Sequence, residues 1–225
     1  MHLRIVMLGD RVVIADKPSG MLTIPGREGA ADPRPCLTRE LSALVPGKLW
    51  IVHRLDREVS GLVIFARDAE AHRLLNGWFE HRLVEKEYEA WTEGDPARAA
   101  SARGRWEGHL IRGRRRVHEG ERGKLSVTDA TYAGTVMRDG ATRLRWTLIP
   151  RTGRPHQLRC QASARGFAIL GDALYGASAP YLPDAIALRE VRIAFPGADR
   201  VVLRELELPS DLRVDGLSAA VRGDG

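Results

Sequence analysis

Cysteine is scarce in this sequence of 225 residues: Cys36 and Cys160 are the only two, and neither belongs to a CxxC pair. That excludes a disulfide framework and a cysteine-based zinc site, and both thiols are expected to be buried. Long apolar runs are missing too, since stretches such as 61–66 fall far short of the roughly 20 residues that a membrane-crossing helix requires. No membrane attachment is expected. The first ten residues, MHLRIVMLGD, end in an acid and contain no apolar stretch with a small-residue cleavage site, so they do not read as a secretory signal. A cytoplasmic protein is the expectation. No internal repeat or low-complexity tract occurs, and the seven histidines are scattered without metal-ligand spacing. No metal is expected.

What is present is an ordinary globular balance, with 44% hydrophobic and 28% charged residues over a length suited to one substantial domain, 1–225. The formal net charge is +6, and its placement matters more than its size. Residues 98–124 hold nine Arg or Lys against three Glu, a surplus of 9 − 3 = +6, so this segment carries the whole excess. Its centre, SARGRWEGHLIRGRRRVHEGERGK, includes Arg112, Arg114, Arg115 and Arg116 among several glycines. One reading is a mobile loop or hairpin that lies along a phosphate backbone, with Trp106 available to stack on a base. The other is a solvated insertion in a chain that favours arginine, since 31 of its 35 basic residues are Arg. Composition alone leaves both open.

Strand-like patterns occur at 11–15, on both sides of the loop HRLDREVSG (53–61), at 84–93 and at 142–150, where Leu144, Trp146 and Leu148 share a face. Helical spacing occurs at 36–45 and from the N-cap candidate Asp68 to about Glu80. Pro155 stands where the first residue of a further helix belongs, and that helix is expected to run to Gly166 with His156 and Arg159 on one face. DKPSG (16–20) and GDALYG (171–176) read as turns, AIALREVRIAF and RVVLRELEL as closing strands, and a tail follows about residue 210. Strands interrupted by a few helices without βαβ alternation predict an α+β fold with a largely antiparallel or mixed central sheet.

Taken singly, the polar residues have bland explanations. Asp56 between Arg54 and Arg57 reads as an ionised carboxylate suited to nucleophilic work, but an isolated loop Asp is usually a turn residue. His156 with Arg159 reads equally as a satisfied histidine and a surface arginine, and Tyr88 as core. A kinase reading of HRLD fails, because no glycine-rich nucleotide loop, DFG or APE segment exists.

Jointly, the ordered blocks DKPSGMLTIPG, HRLDREVSGLVIFAR, VEKEYEAW, TGRPHQLR and ILGDALYG resemble the RluA-type RNA pseudouridine synthases over about residues 11–209. The resemblance implies the pseudouridine synthase catalytic fold with a catalytic cleft, in a short form without an S4-type domain, and a monomer acting on ribosomal or transfer RNA without a cofactor. It also implies roles: Asp56 as nucleophile, Tyr88 against the target base, Arg159 pairing with the aspartate, and Arg54 helping to displace the base. His156 and the four arginines 112 and 114–116 are then RNA-binding candidates. Pro155 departs from the Thr or Ser usual in the family, and Cys160-Gln161 departs from its Val-His. A noncatalytic RNA-binding or ribosome-assembly protein on the same fold is the alternative, although it would have no reason to keep Asp56, Tyr88 and Arg159 together.

Overall fold

The computed structural model describes residues 3–26, 28–138 and 140–217. In chain order the strands and helices are β1 (Arg4–Leu8), β2 (Val12–Lys17), α1 (Leu37–Leu44), β3 (Trp50–Ile51), β4 (Ser60–Ala66), α2 (Ala69–Glu80), β5 (Glu85–Thr92), α3 (Pro96–Ala102), β6 (Gly104–Arg112), β7 (Val117–Glu119), β8 (Lys124–Arg138), β9 (Ala141–Pro150), α4 (Gln157–Ala164), β10 (Leu188–Ala194), α5 (Arg200–Glu205) and β11 (Asp211–Arg213). They form an α+β fold whose strand pairings are largely antiparallel. Two compact units divide the chain: Met1–Glu85 with Glu190–Val214, and Lys86–Arg189 with Asp215–Gly225.

In the first unit the sheet order is β1-β2-β4-β10, with β3 on β4 and β11 on β10. One face is built by alternation, since Val12 and Ile14 of β2 and Leu62 and Ile64 of β4 meet Leu75 and Trp78 of α2 in a single buried cluster. The expected N-cap is in place: Asp68 accepts the Ala71 N–H at 2.8 Å and pairs with Arg11 at 2.9 Å. Those hydrogen bonds, Arg11 first, hold its carboxyl down to about 2. Gly61 has φ of +123°, and a Cβ there would collide with the Glu190 backbone, so the entry to β4 admits only glycine.

The RVVLRELEL run is a correction, because 200–205 form helix α5 rather than a strand. Asp199 caps it through the Val201 and Val202 N–H groups, and Leu203 and Leu206, three apart, enter the same buried cluster. The β-branched pair suggested a strand, but the cap and the three-residue spacing decided the outcome.

In the second unit the order is β5-β9-β8-β6-β7. Trp146 on β9 is its fully buried centre, with Trp106, Phe167 and Tyr132 packed around it at ring distances of 5.2, 5.0 and 5.6 Å. Its indole N–H donates to Thr92 Oγ1 at 3.0 Å. The basic segment is helix α3 followed by the β6–β7 hairpin, so of the loop and hairpin readings the hairpin holds, and Trp106 is no stacking platform. It faces inward with 2% exposure and donates its N–H to the Ala102 carbonyl. The cause is again a period of two, with Trp106 and Leu110 buried while Arg105, Glu107 and His109 stay outside. Both cysteines are buried, as expected. Part of the tail beyond 210 forms β11, and 218–225 lie outside the described residues.

Candidate active site

The loop carrying Arg54 and Asp56 begins where β3 stops. Val52 donates its N–H to the Ile64 carbonyl, and a continuing strand would next offer a carbonyl to the Ile64 N–H. Here the His53 imidazole takes that place instead: its Nε2 accepts the Ile64 N–H at 3.2 Å, and the ring stacks on Phe79 at 4.9 Å. The ladder group is satisfied, and the chain is released from the sheet. Two residues on, the buried Thr23 hydroxyl grips Leu55 from both sides, donating to its carbonyl at 2.8 Å and accepting its N–H at 3.1 Å. Two further on, the Arg57 carbonyl accepts from Lys17 Nζ at 3.2 Å. Anchors therefore fall on residues 53, 55 and 57. The intervening Arg54 is exposed and Asp56 half-buried, and the Val59 N–H donates to the Asp56 carbonyl to turn the chain into β4.

Lys17 is the residue that motif reading passed over, having treated DKPSG only as a turn. It is completely buried, and its three ammonium protons reach the carbonyls of Pro18, Met21 and Arg57 at 2.9, 2.7 and 3.2 Å. Burial pulls its pKa down to about 7, against the opposing pull of Glu58 and Asp56. A signal was present in the sequence, because Val13, Ala15 and Lys17 fall on one face of β2 and all three are fully buried.

In the second unit Tyr88 lies on β5 opposite Leu148 of β9 and is 7% exposed. Arg159 sits on α4 and makes a two-pronged contact with Asp172, Nε to Oδ2 at 2.6 Å and Nη2 to Oδ1 at 2.8 Å, with both side chains buried. Asp172 belongs to GDALYG, whose role as a mere turn is thereby revised. Helix α4 is fixed by a buried amide network: Gln157 bonds Thr152, the Val127 carbonyl and Thr128, while Gln161 accepts from Thr128 and donates to the Trp106 and Ser126 carbonyls. Every amide atom of both glutamines is engaged, so Arg159, between them, is carried on a rigid turn.

That helix starts at Gln157, two residues later than expected, and His156 is not on it. His156 is the N-cap residue with φ of +48°, a left-handed conformation that is uncommon for a side chain with Cβ. Its Nδ1 lies 3.1 Å from the Tyr175 hydroxyl. Tyr175 also lies beneath the Arg159 guanidinium, 5.3 Å from the ring centre. The four candidate arginines follow on the β6–β7 hairpin, where the Gly113 N–H bonds the Arg116 carbonyl; Arg112, Arg114, Arg115 and Arg116 are all exposed. The structure thus gathers His156 and Arg159 around Tyr175, and it places Arg54 with Asp56 on one clamped loop. Among the described residues no group of His, Cys, Asp or Glu is placed to hold a metal ion, and no helix is long and apolar enough to cross a membrane.

The family model described as RNA pseudouridylate synthase matches residues 11–164, which include the Asp56 loop, Tyr88 and Arg159. The dual-specificity RNA pseudouridine synthase RluA of Vibrio vulnificus is 31% identical over 94% of this chain and 84% of its own. The uncharacterized RNA pseudouridine synthase YhcT of Bacillus subtilis is 28% identical over 94% of this chain and 70% of its own. In fold, the structure titled human RNA pseudouridylate synthase domain containing 1 superposes with a TM-score of 0.71 at 22% identity, covering 99% of this chain and 94% of the other. With the family model matching 11–164 and a relative 31% identical over most of both chains, the chain belongs to the RluA-type family of RNA pseudouridine synthases.

Proposed function

We propose that this protein isomerises uridine to pseudouridine in ribosomal or transfer RNA, with Asp56 as the nucleophile. The supporting observation is the clamp on residues 53, 55 and 57, which spends three separate anchors on holding one short loop with Arg54 and Asp56 between them. Rigid presentation of one carboxylate is what covalent or base-assisted chemistry at a sugar or ring carbon requires. The reaction breaks the N1–C1′ bond, turns the uracil and forms a C5–C1′ bond, and the proton on C5 is lost as one returns to N1. Atoms balance without a cofactor. Arg54, exposed beside Asp56, fills the space that the extruded base leaves, at a cost of a few kcal/mol for unstacking. The relatives RluA of Vibrio vulnificus and the ribosomal large subunit pseudouridine synthase D of Pseudomonas aeruginosa support an RNA substrate. Mapping pseudouridine in cellular RNA with and without the gene identifies the target, and the purified protein must then restore the missing site on unmodified RNA. Failure to restore any site overturns the reading.

Tyr88 offers a ring to the uracil and a hydroxyl for proton transfer. Tyr88→Phe is expected to bind RNA normally but to show a slower single-turnover rate, by about 10²-fold if the hydroxyl moves a proton. Equal rates for the two proteins reduce Tyr88 to a stacking surface.

The arginines at 112 and 114–116 supply phosphate contacts. Changing all four to Gln is expected to weaken RNA binding and to flatten the log–log salt dependence by roughly one to four units of about 0.7–0.9 each. An unchanged slope across a salt series means that RNA is held elsewhere.

A further inference from the structure

Tyr175 touches the strand that follows the arginine turn, His156 and Arg159, and its own role is unassigned. Its hydroxyl accepts the Val117 N–H at 2.8 Å and meets His156 Nδ1 at 3.1 Å, and its ring lies under Arg159. The Val117 contact is unusual in kind. Strand β7 is the outer strand of the second unit's sheet, so a backbone donor on its far side has no neighbouring strand to receive it. A tyrosine from a segment 58 residues away receives it instead. Val117 directly follows the exposed turn of Arg114, Arg115 and Arg116, and it is itself 5% exposed, so the arginine turn is an exposed tip fastened at its first buried residue. Arg116 adds a long contact to the Leu174 carbonyl, 3.5 Å, on the same segment.

Tyr175 is in turn held from the other side. Its carbonyl accepts from Ser163 on α4 at 2.6 Å, and its N–H donates to the Asp172 carbonyl, whose carboxylate holds Arg159. Burial pushes the Tyr175 hydroxyl up to about 12, so it keeps its proton at neutral pH. It receives the Val117 N–H through a lone pair and shares a hydrogen bond with His156 Nδ1 whose direction follows the imidazole tautomer. One phenol therefore fixes the hairpin strand, the left-handed cap of α4 and the apolar floor under Arg159.

We propose that Tyr175 is a positioning residue that latches the arginine-bearing β6–β7 hairpin to the Arg159 helix, so that RNA gripped by Arg114, Arg115 and Arg116 is held in fixed register with Arg159. This rests on the reading that the hairpin binds RNA. Tyr175→Phe keeps the ring under Arg159 and removes only the hydroxyl, which leaves the buried Val117 N–H without its acceptor.

The test is a double-mutant cycle on the full chain, Tyr175→Phe alone, the four-arginine-to-Gln variant alone, and both together, with affinity for the mapped RNA and amide exchange at Val117 as readouts. The expected result is an affinity loss of about five- to tenfold for Tyr175→Phe, the size of one net hydrogen bond, with faster exchange at Val117. In the four-Gln background the affinity loss disappears, because the tip no longer has charge to position. A merely structural tyrosine lowers stability and affinity equally in both backgrounds, and that additive outcome overturns the proposal. Unchanged exchange at Val117 overturns the latch alone, whereas normal RNA binding by the four-Gln variant removes the hairpin reading on which it rests.

Discussion

Asp56→Asn is expected to reduce pseudouridine formation by at least about 10³-fold while leaving RNA affinity and the unfolding midpoint nearly unchanged. Asn has the size of Asp but neither its charge nor its nucleophilicity. The three anchors that shape the loop are the His53 ring, the Leu55 backbone and the Arg57 carbonyl, none of which is the Asp56 carboxylate. The turn into β4 likewise uses the Asp56 backbone carbonyl. Asn keeps the shape and the backbone contacts of the turn, so the substitution bears chiefly on the charge. Single-turnover assays on the mapped RNA decide it, and appreciable turnover by a correctly folded Asp56→Asn protein removes Asp56 as nucleophile. Loss of fold in the variant has a different signature, since RNA affinity then falls with activity.

The split between the carboxylate and its anchors also explains which parts of the site could be read from sequence. The candidates Asp56, Tyr88 and Arg159 stand in local blocks whose order pointed to the family, and the Asp68 cap and the Leu144–Trp146–Leu148 face follow from spacing within one element. The residues that hold them could not be found this way. Thr23 acts on Leu55 from 32 residues away, Lys17 on Arg57 from 40, and Tyr175 on Val117 from 58. A local pattern contains no term for such contacts, and turn-forming glycines and prolines beside Lys17, Asp172 and Tyr175 supplied a sufficient but incomplete explanation for each segment. The misreadings have local causes too. Val201 and Val202 favour a strand by propensity but lie in the first turn of a capped helix, and Trp106 looked exposed because arginines surround it in sequence, although they alternate with it in space.

Lys17→Met is expected to destabilise the first unit by about 2–4 kcal/mol at alkaline pH, because the carbonyls of Pro18, Met21 and Arg57 lose the amine whose two N–H donors they share at a site closed to water. Met matches the stem of the side chain, so the loss is of hydrogen bonding rather than packing. The sign of the pH dependence follows from the depressed pKa. Between about 7 and the ordinary lysine value near 10.5, the unfolded chain binds the proton and the folded chain does not, so stability from this group rises with pH across that window. It is lost progressively as pH falls across that window and is gone by about 7, below which both states carry the proton. Lys17→Met lacks this slope, and its deficit relative to the parent should therefore be larger at pH 10 than at pH 6. Denaturant unfolding of both proteins at several pH values measures it. A constant or shrinking deficit shows that Lys17 stays charged throughout and that its carbonyl contacts, with Glu58 and Asp56, outweigh burial. Turnover should fall less than stability, by about tenfold, since the Arg57 anchor alone is lost while His53 and Thr23 still grip the loop.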